Sequence, residues 1–168
     1  MGDPIEPSAT RSQDAAARRT AETNKELVRE FFAAWARSDF DHAAGLLDLD
    51  GQWWTLANRK TRSCRDQLAR VAALNAETRT GTIDFLLGDL TAEEDRVAVV
   101  VESHAEFPLQ GHYSNLYHFL FRISDGGGSP GRGRLISHIW VYYDTALANR
   151  VLRGVGATTP PLASHAED

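Results

Sequence analysis

Three titratable residues alternate along one stretch of this chain and could perform proton-transfer chemistry. Glu102, His104 and Glu106 alternate with other residues in the second half of residues 97–107. This segment is rich in valine, which predicts a β-strand. Successive strand side chains point to opposite faces, so these three share one face and the apolar residues line the other. The charged face can transfer protons or hold a cation if it lines a pocket, whereas it serves only solubility if it faces water.

The composition limits the classes of function. With 168 residues the chain is long enough for one domain with a real core. Its net charge of −5 argues against a nucleic-acid partner, which favours a basic surface. No apolar run approaches the ~20 residues of a membrane helix, so we expect no membrane partner. The single cysteine, Cys64, cannot form an internal disulfide, which fits a reduced, cytoplasmic setting.

The two ends of the chain differ in character from its centre. Residues 1–22 lack a sustained apolar pattern, and residues 154–168 hold two adjacent prolines and little that could pack. We therefore predict a disordered N-terminal arm over residues 1–22, one domain over residues 23–153 and a disordered tail over residues 154–168.

The periodicity of the central region predicts helices first and strands afterwards. Thr23 begins a capping box followed by an apolar helical stripe, and Asp39 and Ser63 are plausible caps of two further helices. Residues 48–51 predict a turn before a tryptophan-rich strand at 52–57. The period then changes to two, which predicts strands at residues 82–90, 96–107, 112–124 and 134–143, with a last helical turn after Asp144. This order indicates an α+β fold, with helices covering one side of an antiparallel sheet.

Several segments, taken in order, resemble SnoaL-like members of the nuclear transport factor 2-like (ketosteroid-isomerase-like) superfamily. They are residues 27–35, 38–41, 64–68, 113–119 and 140–144, and the resemblance covers about residues 24–152. It implies a conical α+β barrel of cystatin-like type, in which N-terminal helices pack on a curved, mostly antiparallel sheet. It also implies a small-molecule pocket inside the cone and a homodimer formed through the outer face of the sheet.

The resemblance implies an orientation for the charged strand. A catalytic Asp of limonene epoxide hydrolases aligns with Glu102, which implies that Val100, Glu102 and His104 point into the cone. Catalytic positions of steroid isomerases align instead with Phe31, Thr55 and Tyr117, and all three residue types differ. We expect Glu102, His104 and Tyr117 to be catalytic. Substrate contacts are expected from Phe31, Trp35, Trp53, Thr55, Tyr113, Asn115, Phe119 and Val141.

The leading hypothesis is a cofactor-independent acid–base enzyme of cyclase, isomerase, dehydratase or epoxide-hydrolase type. Its substrate would be a small apolar molecule of polyketide, terpenoid or steroid type. Glu102 would transfer the proton, His104 would assist, and Tyr117 and Asn115 would polarise the substrate. Two alternatives stay open, a binding or interaction module without turnover and a dimeric scaffold whose cone is filled.

A metal site is not expected. His112, His118 and His138 are candidates by residue type, but neither HxH nor HExxH spacing occurs. The implied orientation also divides these histidines between the two faces of the sheet. We therefore predict neither a metal nor an organic cofactor.

Overall fold

The computed structural model describes residues 7–126 and 133–152. Helices and strands follow one another in the order α-α-β-β-α-β-β-β-β-β-α. Their bounds are α1 (Pro7–Ala36), α2 (Phe40–Gly45), β1 (Leu47–Thr55), β2 (Lys60–Ser63), α3 (Cys64–Ala76), β3 (Asp84–Leu87), β4 (Thr91–Glu93), β5 (Arg96–Phe107), β6 (Gly111–Asp125), β7 (Arg134–Tyr143) and α4 (Thr145–Leu152).

The strands form one open, curved sheet with helices packed on it. Its order is β2-β1-β7-β6-β5-β3, and β4 also pairs with β5. The pairing of β1 with β7 is parallel, and the other pairings are antiparallel. The predicted α+β fold with helices on a curved, mostly antiparallel sheet is therefore confirmed.

Aromatic side chains of α1 pack against aromatic side chains on the concave face of the sheet. Phe31 and Phe32 are fully buried on the helix. The Phe32 ring lies edge-on to Phe119, with 5.0 Å between centroids, and Phe31 lies edge-on to Trp53 at 6.0 Å. Edge-to-face packing adds to the burial of apolar area and sets the position of α1 over the strands.

The predicted helix caps at Asp39 and Ser63 are present, whereas the capping box predicted at Thr23 is wrong because Thr23 lies inside α1. Asp39 accepts a hydrogen bond from the His42 backbone at the start of α2, and Ser63 accepts one from the Asp66 backbone at the start of α3. Each satisfies a backbone N–H that has no partner within its helix. The predicted turn at residues 48–51 is wrong, because β1 runs through it. Gly51 permits this path, since a side chain there would collide with the Ser137 carbonyl oxygen on β7.

Helix α1 begins well before the predicted start of the domain. It already starts at Pro7, so the prediction of a disordered arm is wrong for residues 7–22. These turns contain many Ala and Arg residues, which have high helix propensity. The first fully buried residue of the described part of α1 is Asn24, whose amide donates to the Glu94 carbonyl at 3.0 Å. Residues 1–6 of the predicted arm and residues 154–168 of the predicted tail lie outside the described residues.

Strand β5 has the opposite orientation to the predicted one. Its buried side chains are those of Val97, Val99, Val101, Ser103, Ala105 and Phe107. Glu102 pairs with Leu116 on β6, whereas Ser103 pairs with Asn115. Directly opposed residues share a face, so Ser103 joins Asn115 on the concave side and Glu102 faces outward with Leu116.

The prediction that Val100, Glu102 and His104 point into the cone is therefore wrong. Burying the valine face removes several apolar side chains from water, while burying the other face would desolvate two carboxylates and an imidazole. The free energy favours the valine face by a wide margin. On β6, His112, Leu116 and His118 are exposed on the outer face beside Glu102.

Candidate functional site

A cavity of about 130 Å³ lies between helices α1 and α3 and the concave face of the sheet. Its walls are mostly apolar, and they come from α1, α3, α4 and the strands. The lining residues are Trp35, Trp53, Thr55, Gln67, Val71, Leu74, Ile83, Phe85, Ser103, Phe107, Tyr113, Tyr117, Phe119, Val141, Tyr143 and Leu152. An apolar cavity of roughly 150 Å³ holds one benzene ring, so this space suits a molecule of about one ring.

The structure brings together most of the residues predicted to contact a substrate. Those that line the cavity are Trp35, Trp53, Thr55, Tyr113, Tyr117, Phe119 and Val141. Phe31 and Asn115 stand behind this wall. Phe31 is part of the aromatic core, and Asn115 donates a hydrogen bond to the Tyr113 hydroxyl at 2.8 Å.

Glu102 and His104 lie on the other side of the sheet. Their side chains are 46% and 30% exposed, and His104 Nε2 is 3.3 Å from Glu102 Oε1. Ser114 donates to the same carboxylate at 3.2 Å, and His112 and Glu106 form a second such pair at 2.7 Å. These groups form a solvent-exposed polar strip on the outer face. No cluster of metal-ligating side chains occurs among the described residues.

The polar end of the cavity is a tyrosine cluster formed by Tyr113, Tyr117 and Tyr143 with Asn115. The hydroxyls of Tyr113 and Tyr117 are 2.7 Å apart, and the Tyr117 and Tyr143 rings lie 4.9 Å apart between centroids. The Asn115 amide also donates to the Asp144 carbonyl at 3.0 Å, which fixes its orientation. Of the two protons carried by the Tyr113–Tyr117 pair, one lies between the two oxygens. The other is left to donate elsewhere.

Burial keeps these phenols in their neutral form. It raises the pKa of Tyr143 to about 12, with a further contribution from Tyr113. Burial also raises the pKa of Tyr113, and it raises the pKa of Tyr117 well above its usual value. The Ser103 hydroxyl acts in the opposite direction and lowers the pKa of Tyr117, although the two hydroxyls are not aligned as a hydrogen bond. The cluster is therefore a set of hydrogen-bond donors near neutral pH, and its phenols do not act as bases there.

Three further buried polar atoms belong to residues that line this cavity and have no hydrogen-bond partner among the described residues. They are Trp53 Nε1, Gln67 Oε1 and Ser103 Oγ. Trp35 differs, because its indole nitrogen donates to Asn75 Oδ1 at 3.2 Å. Buried polar atoms are nearly always paired in native proteins, so unpaired ones around a cavity indicate where a ligand can bind.

Sequence reasoning missed several cavity residues. Gln67, Val71 and Leu74 follow the i, i+4, i+7 spacing of one helix face, and that spacing could have placed Gln67 on the wall. Ser103 is the one polar residue on the otherwise apolar face of β5. Such an exception within a buried strand is a signal for a functional position. Tyr143 could have been found by its place opposite Tyr117.

Comparisons with known proteins agree with this fold. A family model described as a SnoaL-like domain matches residues 28–127. No curated protein matches the chain. Among solved structures, PrhC from Penicillium brasilianum is 14% identical with a TM-score of 0.68, and the alignment covers 83% of this chain and 91% of PrhC.

Two other solved structures extend the comparison. An LEH-like epoxide hydrolase from M. tuberculosis is 16% identical with a TM-score of 0.63, covering 83% of this chain and 96% of that one. A protein of ketosteroid isomerase-like fold from Catenulispora acidiphila, in complex with trimethylamine, is 19% identical with a TM-score of 0.58. That alignment covers 78% of this chain and 92% of the other. At these identities the likeness concerns the fold.

The fold is that of a nuclear transport factor 2-like domain, a class with both catalytic and binding members. Within that class, the chain belongs to the SnoaL-like family. No described helix is long and apolar enough to cross a membrane.

Proposed function

We propose that this domain binds a small, largely apolar molecule of about one ring and donates a hydrogen bond to its carbonyl or ether oxygen. The observation that carries the proposal is the Tyr113–Tyr117 hydroxyl pair, 2.7 Å apart at the wall of an apolar cavity. No described residue accepts the unshared proton of this pair in a hydrogen bond. An acceptor oxygen on the ligand supplies the missing partner.

A chain of hydrogen bonds strengthens this donor. Asn115 donates to the Tyr113 oxygen, and Tyr113 can in turn donate to Tyr117. Each bond polarises the next, so the last hydroxyl of the chain becomes a better donor than an isolated phenol. Because burial holds the pKa of Tyr117 well above its usual value, that proton stays in place over the physiological range.

Acid–base catalysis by Glu102 fits this cavity poorly. The residues around it include no carboxylate and no imidazole in the described part of the chain. A molecule held against Tyr117 is separated from Glu102 by the sheet itself, because neighbouring side chains on β5 point to opposite faces. Binding is thus the function that the geometry supports best. The cavity is also too small for the four fused rings of a steroid.

Catalysis by the tyrosines alone is the second candidate. Neutral donors aimed at a ligand oxygen stabilise the negative charge that develops there when a base from the solvent removes the α-proton of a ketone and leaves the enolate. The polarised Asn115–Tyr113–Tyr117 chain favours this candidate. Deuterium exchange into the methyl group of bound acetophenone, followed by NMR, separates the two. Binding alone predicts no exchange above the uncatalysed rate, whereas catalysis predicts exchange that is lost in Tyr117→Phe.

Acetophenone and α-methylstyrene test the binding function, since they share one shape and only acetophenone carries an acceptor oxygen. Calorimetry should show that the wild-type protein prefers acetophenone. Tyr117→Phe should lower that preference by about 1 kcal/mol, roughly fivefold. Tyr142→Phe is the matched control, because Tyr142 is exposed on the outer face. Absence of acetophenone binding, or equal effects of the two variants, would refute the proposal.

We also propose that the outer face of the sheet joins two copies of this chain. Four large apolar side chains are exposed together there, namely Leu86, Val100, Leu116 and Tyr142. They lie on neighbouring strands. Leu86 on β3 pairs with Glu102 on β5, which pairs with Leu116 on β6. Val100 on β5 pairs with His118 on β6, which pairs with Tyr142 on β7. Exposed apolar side chains on adjacent strands, interleaved here with Glu102 and His118, favour a self-complementary contact around a two-fold axis.

Sedimentation equilibrium tests the dimer. The wild-type protein should sediment as a dimer, and Leu116→Lys should shift it to a monomer, because Leu116 is 60% exposed on this face. Leu109→Lys is the control, since Leu109 is 91% exposed in the turn after β5. A wild-type monomer, or a dimer that persists in Leu116→Lys, contradicts this interface.

A further inference from the structure

Two unpaired polar atoms mark a second polar end of the cavity. Trp53 is only 2% exposed and its indole N–H donates to no described group. Gln67 Oε1 is buried in the wall and accepts from none. One atom is a donor and the other an acceptor, so a group that both accepts and donates can satisfy both.

This second end is separate from the tyrosine cluster. Trp53 on β1 pairs with Ile139 on β7, and Tyr143 lies four residues further along β7 beside Tyr117. At about 3.3 Å per residue, Ile139 beside Trp53 and Tyr143 beside Tyr117 are about 13 Å apart along β7. The space between them is apolar, with Thr55, Val141 and Phe119 at the intermediate level.

We propose that the natural ligand is a monocyclic molecule with two oxygen functions, an acceptor oxygen held at the tyrosine cluster and a hydroxyl that faces Trp53 Nε1 and Gln67 Oε1. This inference rests on the binding function proposed above and specifies the chemical class of its ligand. The hydroxyl accepts from the indole N–H and donates to the amide oxygen. A ligand without that hydroxyl leaves both buried atoms unpaired, which weakens its binding.

The pair of probes that tests this class is acetophenone and 4-hydroxyacetophenone, which differ by one hydroxyl opposite the carbonyl. The wild-type protein should bind 4-hydroxyacetophenone about tenfold more tightly in calorimetry. Gln67→Leu, which removes the acceptor at similar volume, should bring this ratio close to one. Gln52→Leu is the matched control, because Gln52 lies exposed on the outer face of β1.

The indole N–H signals of the wild-type protein give a second readout that needs no variant. The chain has four tryptophans, and the Trp53 signal should shift downfield with 4-hydroxyacetophenone but not with acetophenone. Trp54, whose ring lies against Tyr142 on the outer face, serves as the internal reference. Trp53→Phe assigns the signal and should also abolish the preference for the hydroxylated probe.

The outcomes separate this inference from the function on which it rests. The proposed second polar end is wrong if the two probes bind equally. It is also wrong if the tenfold preference survives in Gln67→Leu and the Trp53 signal does not shift. Acetophenone binding that still depends on Tyr117 would then leave the binding function standing. If neither probe binds, the proposed function itself fails.

Discussion

The orientation of β5 can be tested by one isosteric change at two adjacent positions. Val99→Thr and Val100→Thr each replace a methyl group by a hydroxyl of similar volume. Val99 is 2% exposed and faces Phe119, which is equally buried, whereas Val100 is 45% exposed. The two variants therefore place the same hydroxyl on opposite sides of the sheet.

The expected costs differ severalfold. At Val99 the change loses about 0.8 kcal/mol of apolar burial and leaves a hydroxyl unpaired among aromatic rings, which costs about 1–3 kcal/mol more. The sum is about 2–4 kcal/mol. At Val100 the hydroxyl stays hydrated, so the change should remain within about 0.5 kcal/mol.

Urea unfolding measures both costs. With an m-value of about 2 kcal/mol/M, Val99→Thr should lower the midpoint by about 1–2 M and Val100→Thr should barely move it. Val100 lies on the proposed dimer face, so any effect there should vary with protein concentration, and the Val99 effect should not. A larger cost at Val100, independent of concentration, would mean that the charged face of β5 points inward and that the orientation reported above is wrong.

Two further predictions concern the outer strip and the tyrosines. Glu102→Gln should leave the acetophenone affinity unchanged in calorimetry, because the sheet separates Glu102 from the cavity. A tenfold loss of affinity would show that Glu102 belongs to the binding site. Between pH 10 and 12 the unfolded chain releases the Tyr143 proton while the folded chain, with the pKa of Tyr143 raised to about 12, retains it. The free energy of unfolding present below pH 10 should therefore fall by about 1.4 kcal/mol per pH unit because of Tyr143. The decline should be steeper when Tyr113 and Tyr117 also contribute. Urea midpoints measure this decline, and Tyr143→Phe should make it less steep. A wild-type midpoint that stays constant over this range would contradict the buried, neutral phenols.

The elements of the domain could be predicted because their signals are local. The bounds of β5 and β7 match the predicted strands, since period-two alternation and flanking turn residues lie within each segment. Asp39 and Ser63 were identifiable as caps because a cap requires a particular side chain within three residues of a backbone donor. The order of these elements then indicated the family.

Side-chain orientation on β5 depended on a non-local fact. The alternating pattern of residues 97–107 has two self-consistent interpretations, and the sequence alone does not say which face meets the helices. The register Ser103–Asn115 decides it, and a shift by one residue would turn every side chain to the other face. That register follows from the burial of the valine face under α1, which is a property of the assembled core.

The sequence by itself thus determined the fold class and the aromatic character of the cavity, because periodicity and residue type are local properties, and the resemblance of its motifs implied the family. Only the tertiary structure showed that Glu102 and His104 lie outside and that Ser103, Gln67 and Tyr143 lie inside. It also showed that Trp53 and Gln67 present unpaired polar atoms to the cavity. The physical reason is that a site is formed where distant segments converge, and this convergence is set by packing between segments.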